Sequence, residues 1–213
     1  VLRELHLVRH GEVHNPDHIC YGDLPGFGLS DTGRRQAEAA AEYVAGLEAD
    51  AIASSPLQRA METAQILGAA AGLEVAADER LAEWSLGMRW QGVVWERLPE
   101  VFPGELEAYF EHPQDLPFSP EPIAAVAKRM AAAVADLGDH FPGGVAVLVS
   151  HQDPVQAARL HLTGIELSRL SEDKPRHCSV ISLQAGSPWS ERLVWHPDVP
   201  AEFFPPTARP PQP

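Results

Sequence analysis

The stretch Leu5-His6-Leu7-Val8-Arg9-His10-Gly11-Glu12 decides how the chain is read. An apolar, strand-like run stops abruptly at a guanidinium, an imidazole and a glycine. In open α/β sheets ligands bind outside the carboxyl ends of the strands, so Arg9 and His10 are expected to emerge where a site belongs. Arg9 can fork onto two oxygens of a phosphate. His10 can serve as a base, a metal ligand or a nucleophile. Gly11 lets the backbone approach a ligand with no Cβ in the way. A histidine at a strand end is commonly structural, so the rest of the chain has to decide between the readings.

Working outward, Leu2 to Val8 reads as a first strand, and Val13 to Leu29 as a long loop broken by Asn15-Pro16, Gly22-Asp23 and Pro25-Gly26. Loops of that length are often functional. Ser30 is placed to cap a helix running to about Leu47. Asp50 to Ala53 is a short strand. Ser55-Pro56 then predicts an N-cap and first helical position, for a helix that stops at Gly72. Glu74 to Ala77 is a third strand. A long amphipathic helix is expected within Ser119 to His140, ended by Pro142-Gly143-Gly144. Val145 to Val149 is uninterrupted apolar sequence, the mark of a central parallel strand. Asp153-Pro154 suggests a further cap and helix, and Ser179 to Leu183 and Arg192 to Trp195 suggest late strands.

Strands alternate with helices throughout. The expected fold is a three-layer α/β/α sandwich with a mostly parallel central sheet. Residues 1–196 are expected to form one domain, with 84–120 as a small, mainly helical insertion capping the sheet's carboxyl edge. Residues 197–213 are a Pro-rich tail, disordered or docked.

Composition narrows the function. The chain has 213 residues, 45% of them apolar, and a net charge of -14. That charge argues against nucleic acid or an anionic membrane as a partner. An anionic substrate would need a local positive island. No apolar run approaches the roughly 18 residues of a membrane span. Arg3, Glu4 and His6 break any signal-peptide core. Cys20 and Cys178 make no disulfide framework, so a cytoplasmic location is expected.

Besides the opening stretch, three places lie just past an expected strand and carry polar chemistry. These are Ser54-Ser55-Pro56 with Arg59, Leu81-Ala82-Glu83-Trp84, and Ser150-His151. In a parallel sheet such ends meet on one edge. Two arginines, two histidines and a carboxylate would then share a pocket, the inventory for moving a phosphoryl group through a phosphohistidine. Cations neutralise the equatorial oxygens. One imidazole attacks phosphorus, and the carboxylic acid protonates the leaving oxygen. Burial against Trp84 would favour the protonated form of Glu83.

The same residues carry a family resemblance. Arg9-His10-Gly11-Glu12 with Asn15, Leu29-Ser30-Asp31-Thr32-Gly33 through Ala37, Ser54-Ser55-Pro56 through Arg59-Ala60 with Thr63-Ala64, Glu83 with Gly87, Trp90 and Gly92, and Ser150-His151 follow in order across residues 3–160. Together they resemble the histidine phosphatase superfamily, or phosphoglycerate mutase-like family. The resemblance implies that His10 is the phosphorylated nucleophile. Arg9, Arg59 and His151 would bind the phosphoryl group, Glu83 would be the general acid, and Asn15 a further phosphate contact. It implies no metal or organic cofactor. Two departures stand out. Gln152-Asp153-Pro154 replaces the glycines common after the second histidine. The Gln152 backbone N–H can still donate to phosphate, while Asp153 is expected to point away and cap its helix. Gln91 stands where an acid is common, which bears on leaving-group preference.

His6, His10, His14 and His18 recur every four residues, a spacing that suits a metal on a helix, but His6 falls in a strand and Pro16 interrupts the run. Trp84, Trp90 and Trp95 either line an apolar pocket or form the core of the cap. Cys20 has no basic neighbour except His18 to make it reactive. The expected activity is metal-independent hydrolysis of a phosphate monoester, the partner being a small phosphate ester or inorganic phosphate. The short stretch between Glu83 and His151 favours hydrolysis over a phosphoglycerate mutase by analogy. A non-catalytic phosphate-binding protein is the third reading. Substrate and oligomeric state are left open by the sequence.

Overall fold

The structure is a computed structural model that describes residues 1–202. Its strands are β1 (Glu4–Arg9), β2 (Ala51–Ser54), β3 (Val75–Ala77), β4 (Val145–Ser150), β5 (Val180–Gln184) and β6 (Ser190–Trp195). Its helices are α1 (Asp31–Ala45), α2 (Gln58–Ala71), α3 (Leu86–Arg89), α4 (Leu98–Val101), α5 (Glu105–Glu111), α6 (Ile123–His140) and α7 (Gln152–Leu162). The strands form one sheet in the order β3-β2-β4-β1-β5-β6.

The expected sandwich is present. Alternate strand residues face opposite sides. Leu5, Leu7, Ala146 and Leu148 pack with α6, α7 and the 84–120 insertion, while Val8, Ile52, Val147 and Val149 pack with α1 and α2. All six residues of β4 are buried, which is why that run lacks any polar alternation. Truncating a residue such as Leu148 to Ala would cost ~2–5 kcal/mol. The sheet departs from the sequence expectation on one side. β2, β3, β4 and β1 are parallel, but β5 runs antiparallel to β1 and β6 antiparallel to β5. β5 therefore begins at the sheet edge where β1 and β4 end.

Two glycines let the turn after β1 settle on α1. A Cβ on Gly33 would lie 2.0 Å from the Glu12 carbonyl oxygen, and one on Gly11 2.6 Å from that of Gly33. Ser30 caps α1 as expected, its Oγ accepting from the Gly33 N–H. The second cap does not form as expected. α2 starts at Gln58 with Leu57 as N-cap, so Pro56 lies outside the helix. The Ser55 hydroxyl is instead engaged by His151, and accepts from the Leu57 N–H.

The insertion and the long loop brace each other. Backbone bonds join Cys20 to Val93, Gly92 to Cys20 and Trp95 to His18. Trp84 and Trp90 are buried in the core beneath this cap, the structural alternative for the tryptophan cluster. The chain after β6 docks back on α1. Gln36 Nε2 donates to the Val199 carbonyl at 3.3 Å, and the Glu202 N–H donates to Glu12 Oε2 at 2.7 Å. Of the expected tail, residues 203–213 lie outside the described residues. No helix among the described residues is long and apolar enough to cross a membrane.

Candidate active site

Strand register brings the expected residues together. Arg9 of β1 pairs with Ser150 of β4, so the next residues, His10 and His151, are neighbours by construction. The His10 N–H donates to the Ser150 carbonyl at 2.9 Å, and the two imidazoles meet edge-on with centroids 5.2 Å apart. On the other flank β2 pairs with β4 one step earlier, and the Ser55 N–H donates to the Val149 carbonyl. Arg59 follows in the first turn of α2.

Hydrogen bonds fix the chemistry of each imidazole. His10 Nδ1 lies 2.7 Å from the Gly11 carbonyl. A carbonyl only accepts, so Nδ1 carries the proton and Nε2 keeps a lone pair. Burial, then the charge of Arg59, then His151 and Arg9 hold the His10 pKa well below the usual imidazole value. His10 is therefore a neutral, buried base with a free Nε2. His151 Nε2 lies 2.7 Å from Ser55 Oγ. Ser55 Oγ accepts from the Leu57 N–H, and where its own O–H donates to Nε2 the proton of His151 stands on Nδ1. That Nδ1 has no hydrogen-bond partner and lies 3.6 Å from Glu83 Oε2. Burial and the nearby arginines also lower the His151 pKa.

The two arginines are buried, each anchored at one nitrogen. Arg9 Nη1 donates to the Pro175 carbonyl at 3.0 Å, and Arg59 Nη2 to the Gly22 carbonyl at 2.9 Å. Their Nε donors have no partner among the described residues, nor has the Nε2 of Gln152. Buried donors are normally satisfied. Arg9, Arg59 and His151 each hold a buried nitrogen without an acceptor among the described residues, and they come from three chain segments to the neighbourhood of His10. An anion is the ligand that such a set accommodates.

Glu83 follows a 3-10 turn at Glu79–Leu81. Arg129 of α6 holds its backbone by donating to the carbonyls of Arg80, Ala82 and Glu83, and Ser150 Oγ donates to the Leu81 carbonyl at 2.7 Å. The carboxylate lies 3.8 Å from Arg59. Burial raises its pKa, against the opposing pull of Arg59, which favours the protonated form a general acid needs. The Trp84 backbone N–H donates to Glu83 Oε1 and so works against that rise, while the Trp84 indole donates to the Glu121 carbonyl instead.

Two expectations change. Asp153 does not cap α7, whose N-cap is His151. Its carboxylate takes the Tyr109 hydroxyl at 2.9 Å and Lys174 Nζ at 2.6 Å. Lys174 thereby offsets a negative charge that would otherwise oppose an anion. Asn15 uses its side chain on its own loop, donating to the Ile19 carbonyl and accepting from the Ile19 N–H. One amide proton is left for a ligand. Gln91 bonds to the Tyr21 carbonyl and to Asp23, so it pins the long loop. Burial pushes the Cys20 thiol up to about 12, consistent with an unreactive side chain.

The structure adds residues that sequence reading missed. His177 sits 5.9 Å from His10, ring to ring. It precedes β5, and attention to the carboxyl ends of strands overlooks the amino end of an antiparallel one. Tyr21 lies under Arg59, with the guanidinium carbon 4.7 Å from its ring centroid, and stacks on Phe27. Burial raises the pKa of its hydroxyl, and Arg59 and Arg9 pull it back. Only the length of the loop signalled it.

Comparison with known proteins agrees with this geometry. The family model described as histidine phosphatase superfamily (branch 1) matches residues 5–194. An uncharacterised protein of Mycobacterium tuberculosis is 40% identical over 90% of this chain and 93% of its own. Phosphoserine phosphatase 1 of Hydrogenobacter thermophilus is 32% identical over 78% of this chain and 79% of its own. Among solved structures, a mycobacterial glucosyl-3-phosphoglycerate phosphatase complexed with VO3 superimposes with a TM-score of 0.82. It is 32% identical, covering 91% of this chain and 98% of that one. With five ordered sequence blocks gathered at one sheet edge and a family match from the first strand to the last, the chain belongs to the histidine phosphatase superfamily.

Proposed function

We propose that the protein hydrolyses a small-molecule phosphate monoester through a phosphohistidine on His10. The observation that carries this is the neutral His10 with its Nε2 lone pair free, close to buried nitrogens of Arg9, Arg59 and His151 that lack acceptors among the described residues. The family membership and the phosphatases among its relatives support the same reading.

In the first step the Nε2 lone pair of His10 forms a bond to phosphorus while the phosphorus–oxygen bond to the leaving group breaks. Glu83 gives its proton to that oxygen. Arg9, Arg59 and the Nδ1–H of His151 hold the equatorial oxygens as charge gathers on them. The Gln152 N–H, at the first turn of α7, adds a backbone donor and the positive end of the helix dipole. In the second step the Glu83 carboxylate takes a proton from water, the water oxygen bonds to phosphorus, and the phosphorus–nitrogen bond returns its electrons to Nε2. The arginines supply the charge neutralisation, so no metal is needed.

The test is turnover of p-nitrophenyl phosphate with EDTA present, together with His10→Ala. Wild type is expected to hydrolyse the ester and, when quenched in alkali, to carry a phosphate label that acid removes. The variant is expected to lose both. Full activity in His10→Ala, or activity abolished by EDTA, would refute the reading.

A further inference from the structure

The segment from Glu172 to Cys178 is held between the end of β1 and α7, and it carries the anchor of Arg9. Arg9 Nη1 donates to the Pro175 carbonyl at 3.0 Å, and the Cys178 N–H donates back to the Arg9 carbonyl at 3.0 Å. Three side chains on successive turns of α7 hold the other side. Gln156 Nε2 donates to the Glu172 carbonyl at 2.6 Å, Arg159 Nη1 donates to the Asp173 carbonyl at 3.0 Å, and Asp153 accepts from Lys174 Nζ at 2.6 Å. Asp173 and Cys178, with φ of 43° and 53°, bracket the segment in the left-handed region. A residue other than glycine keeps that conformation where its surroundings over-determine it.

The contact between Asp153 and Lys174 is an ion pair, with side chains only 15% and 7% exposed. Tyr109 of α5 completes the cluster. Its hydroxyl donates to Asp153 Oδ2 at 2.9 Å and accepts from Lys174 Nζ, and the ammonium lies 4.3 Å from its ring centroid. Asp153 belongs to the run that stands where glycines are common after the second histidine. Lys174 precedes Pro175, whose ring fixes its own φ and restricts the backbone of the residue before it. The clamped ammonium and the carbonyl that anchors Arg9 thus belong to one stiff dipeptide. Asp153 also acts on Arg9 across space, its charge opposing the burial that lowers the Arg9 pKa.

We propose that Lys174, held by Asp153 and Tyr109, is a positioning residue that sets the Arg9 guanidinium through the Pro175 carbonyl. This role rests on the phosphatase reading above, in which Arg9 binds the phosphoryl group, and adds a residue that acts through it. A displacement of about 1 Å in a positioned group can cost about 10²-fold in rate, so a slight loosening of the dipeptide shows in turnover. Tyr109 comes from the 84–120 insertion, so the same cluster joins the cap to the anchor of an anion-binding arginine.

The experiment is a double-mutant cycle on hydrolysis of p-nitrophenyl phosphate, with Lys174→Met, Arg9→Gln and the double variant. Lys174→Met is expected to lower kcat/KM about tenfold and to weaken inhibition by vanadate, a mimic of the transferred group, by about the same factor. In the Arg9→Gln background the same change is expected to cost less than about twofold, because the effect travels through Arg9. A merely structural role would cost the same factor in both backgrounds. That additivity would overturn the proposal, as would an unchanged kcat/KM in Lys174→Met. Should Lys174→Met fail to fold, Asp153→Asn carries the same cycle, since it removes the charge and keeps an oxygen acceptor. Its expected loss is about threefold with Arg9 present and none without it, and equal losses would again overturn the role. The parent reading is judged separately. Undiminished activity in Arg9→Gln, or none in wild type, refutes that reading and the positioning role with it, whereas an additive cycle on an active enzyme removes only the role of Lys174.

Discussion

Ser55→Ala tests how the site sets the proton on His151. The Ser55 hydroxyl and His151 Nε2 are 2.7 Å apart, and both residues have no exposed surface. With the hydroxyl donating, Nε2 accepts and Nδ1 keeps the proton that the proposed mechanism offers to the phosphoryl group. Removing it loses a hydrogen bond worth ~1 kcal/mol net and leaves a buried ring nitrogen unsatisfied at a further ~1–3 kcal/mol. The active tautomer then competes with one that presents a bare nitrogen to an anion. A loss of about 2 kcal/mol in transition-state binding corresponds to about 30-fold in kcat/KM.

The assay is steady-state hydrolysis of p-nitrophenyl phosphate, with urea unfolding run in parallel. The expected result is a 30-fold drop carried mainly by kcat, in a protein that remains folded. Nitrogen-15 spectra of the imidazoles give an independent readout, in which wild-type His151 carries its proton on Nδ1 and the variant shows a mixture. A wild-type spectrum with the proton on Nε2 would refute the reasoning, as would full activity in Ser55→Ala.

Other expectations follow from the same geometry. Glu83→Gln should slow hydrolysis of an alkyl phosphate by about 10²–10⁴, and that of p-nitrophenyl phosphate far less because its leaving group needs no proton. Equal losses on the two esters would remove Glu83 from the acid role. Tyr21→Phe keeps the ring against Arg59 and Phe27, so thermal stability should hold while kcat/KM falls about tenfold for the lost hydroxyl; unchanged kinetics would make Tyr21 purely structural. His6, His10, His151 and His177 all have pKa values lowered chiefly by burial. Below the unfolded value of 6.5 the unfolded chain binds these protons and the native state does not, so stability falls with pH by up to about 1.4 kcal/mol per unit for each group. Glu83, with its raised pKa, works in the opposite direction as one group against four. Urea midpoints that stay flat between pH 7 and pH 5 would contradict the neutral imidazoles.

What the sequence disclosed was whatever acts through local pattern. The uniform burial of β4 shows as an unbroken apolar run, and the glycines at 11 and 33 mark a backbone contact that no Cβ would permit. Arg9, His10, Arg59, Glu83 and His151 stand beside strand ends, and a parallel register carries them to one edge. Failures arose where a side chain found a distant partner stronger than its neighbour. Ser55 and Asp153 both precede proline near a helix start, a local signal for capping. Ser55 went to His151, and Asp153 to Tyr109 and Lys174. Strand direction is likewise invisible locally. Nothing within Val180–Gln184 says that it runs against β1, and His177 was missed for that reason.

The two arginines act before any substrate arrives. Beyond burial, Arg59 and Arg9 lower the affinity of His10 for a proton. A protonated His10 would have no lone pair to attack with, so under the proposed mechanism the cations that bind the phosphoryl group also keep the nucleophile competent. Once a phosphate dianion occupies the pocket, its charge offsets theirs. Burial sets Glu83 against the same field, which raises its pKa while Arg59 pulls it back. The site thus holds an unprotonated base and a protonable acid within one set of buried charges. That division requires His10 and Glu83 to share Arg59, which only the convergence of β1, α2 and the Glu83 turn provides.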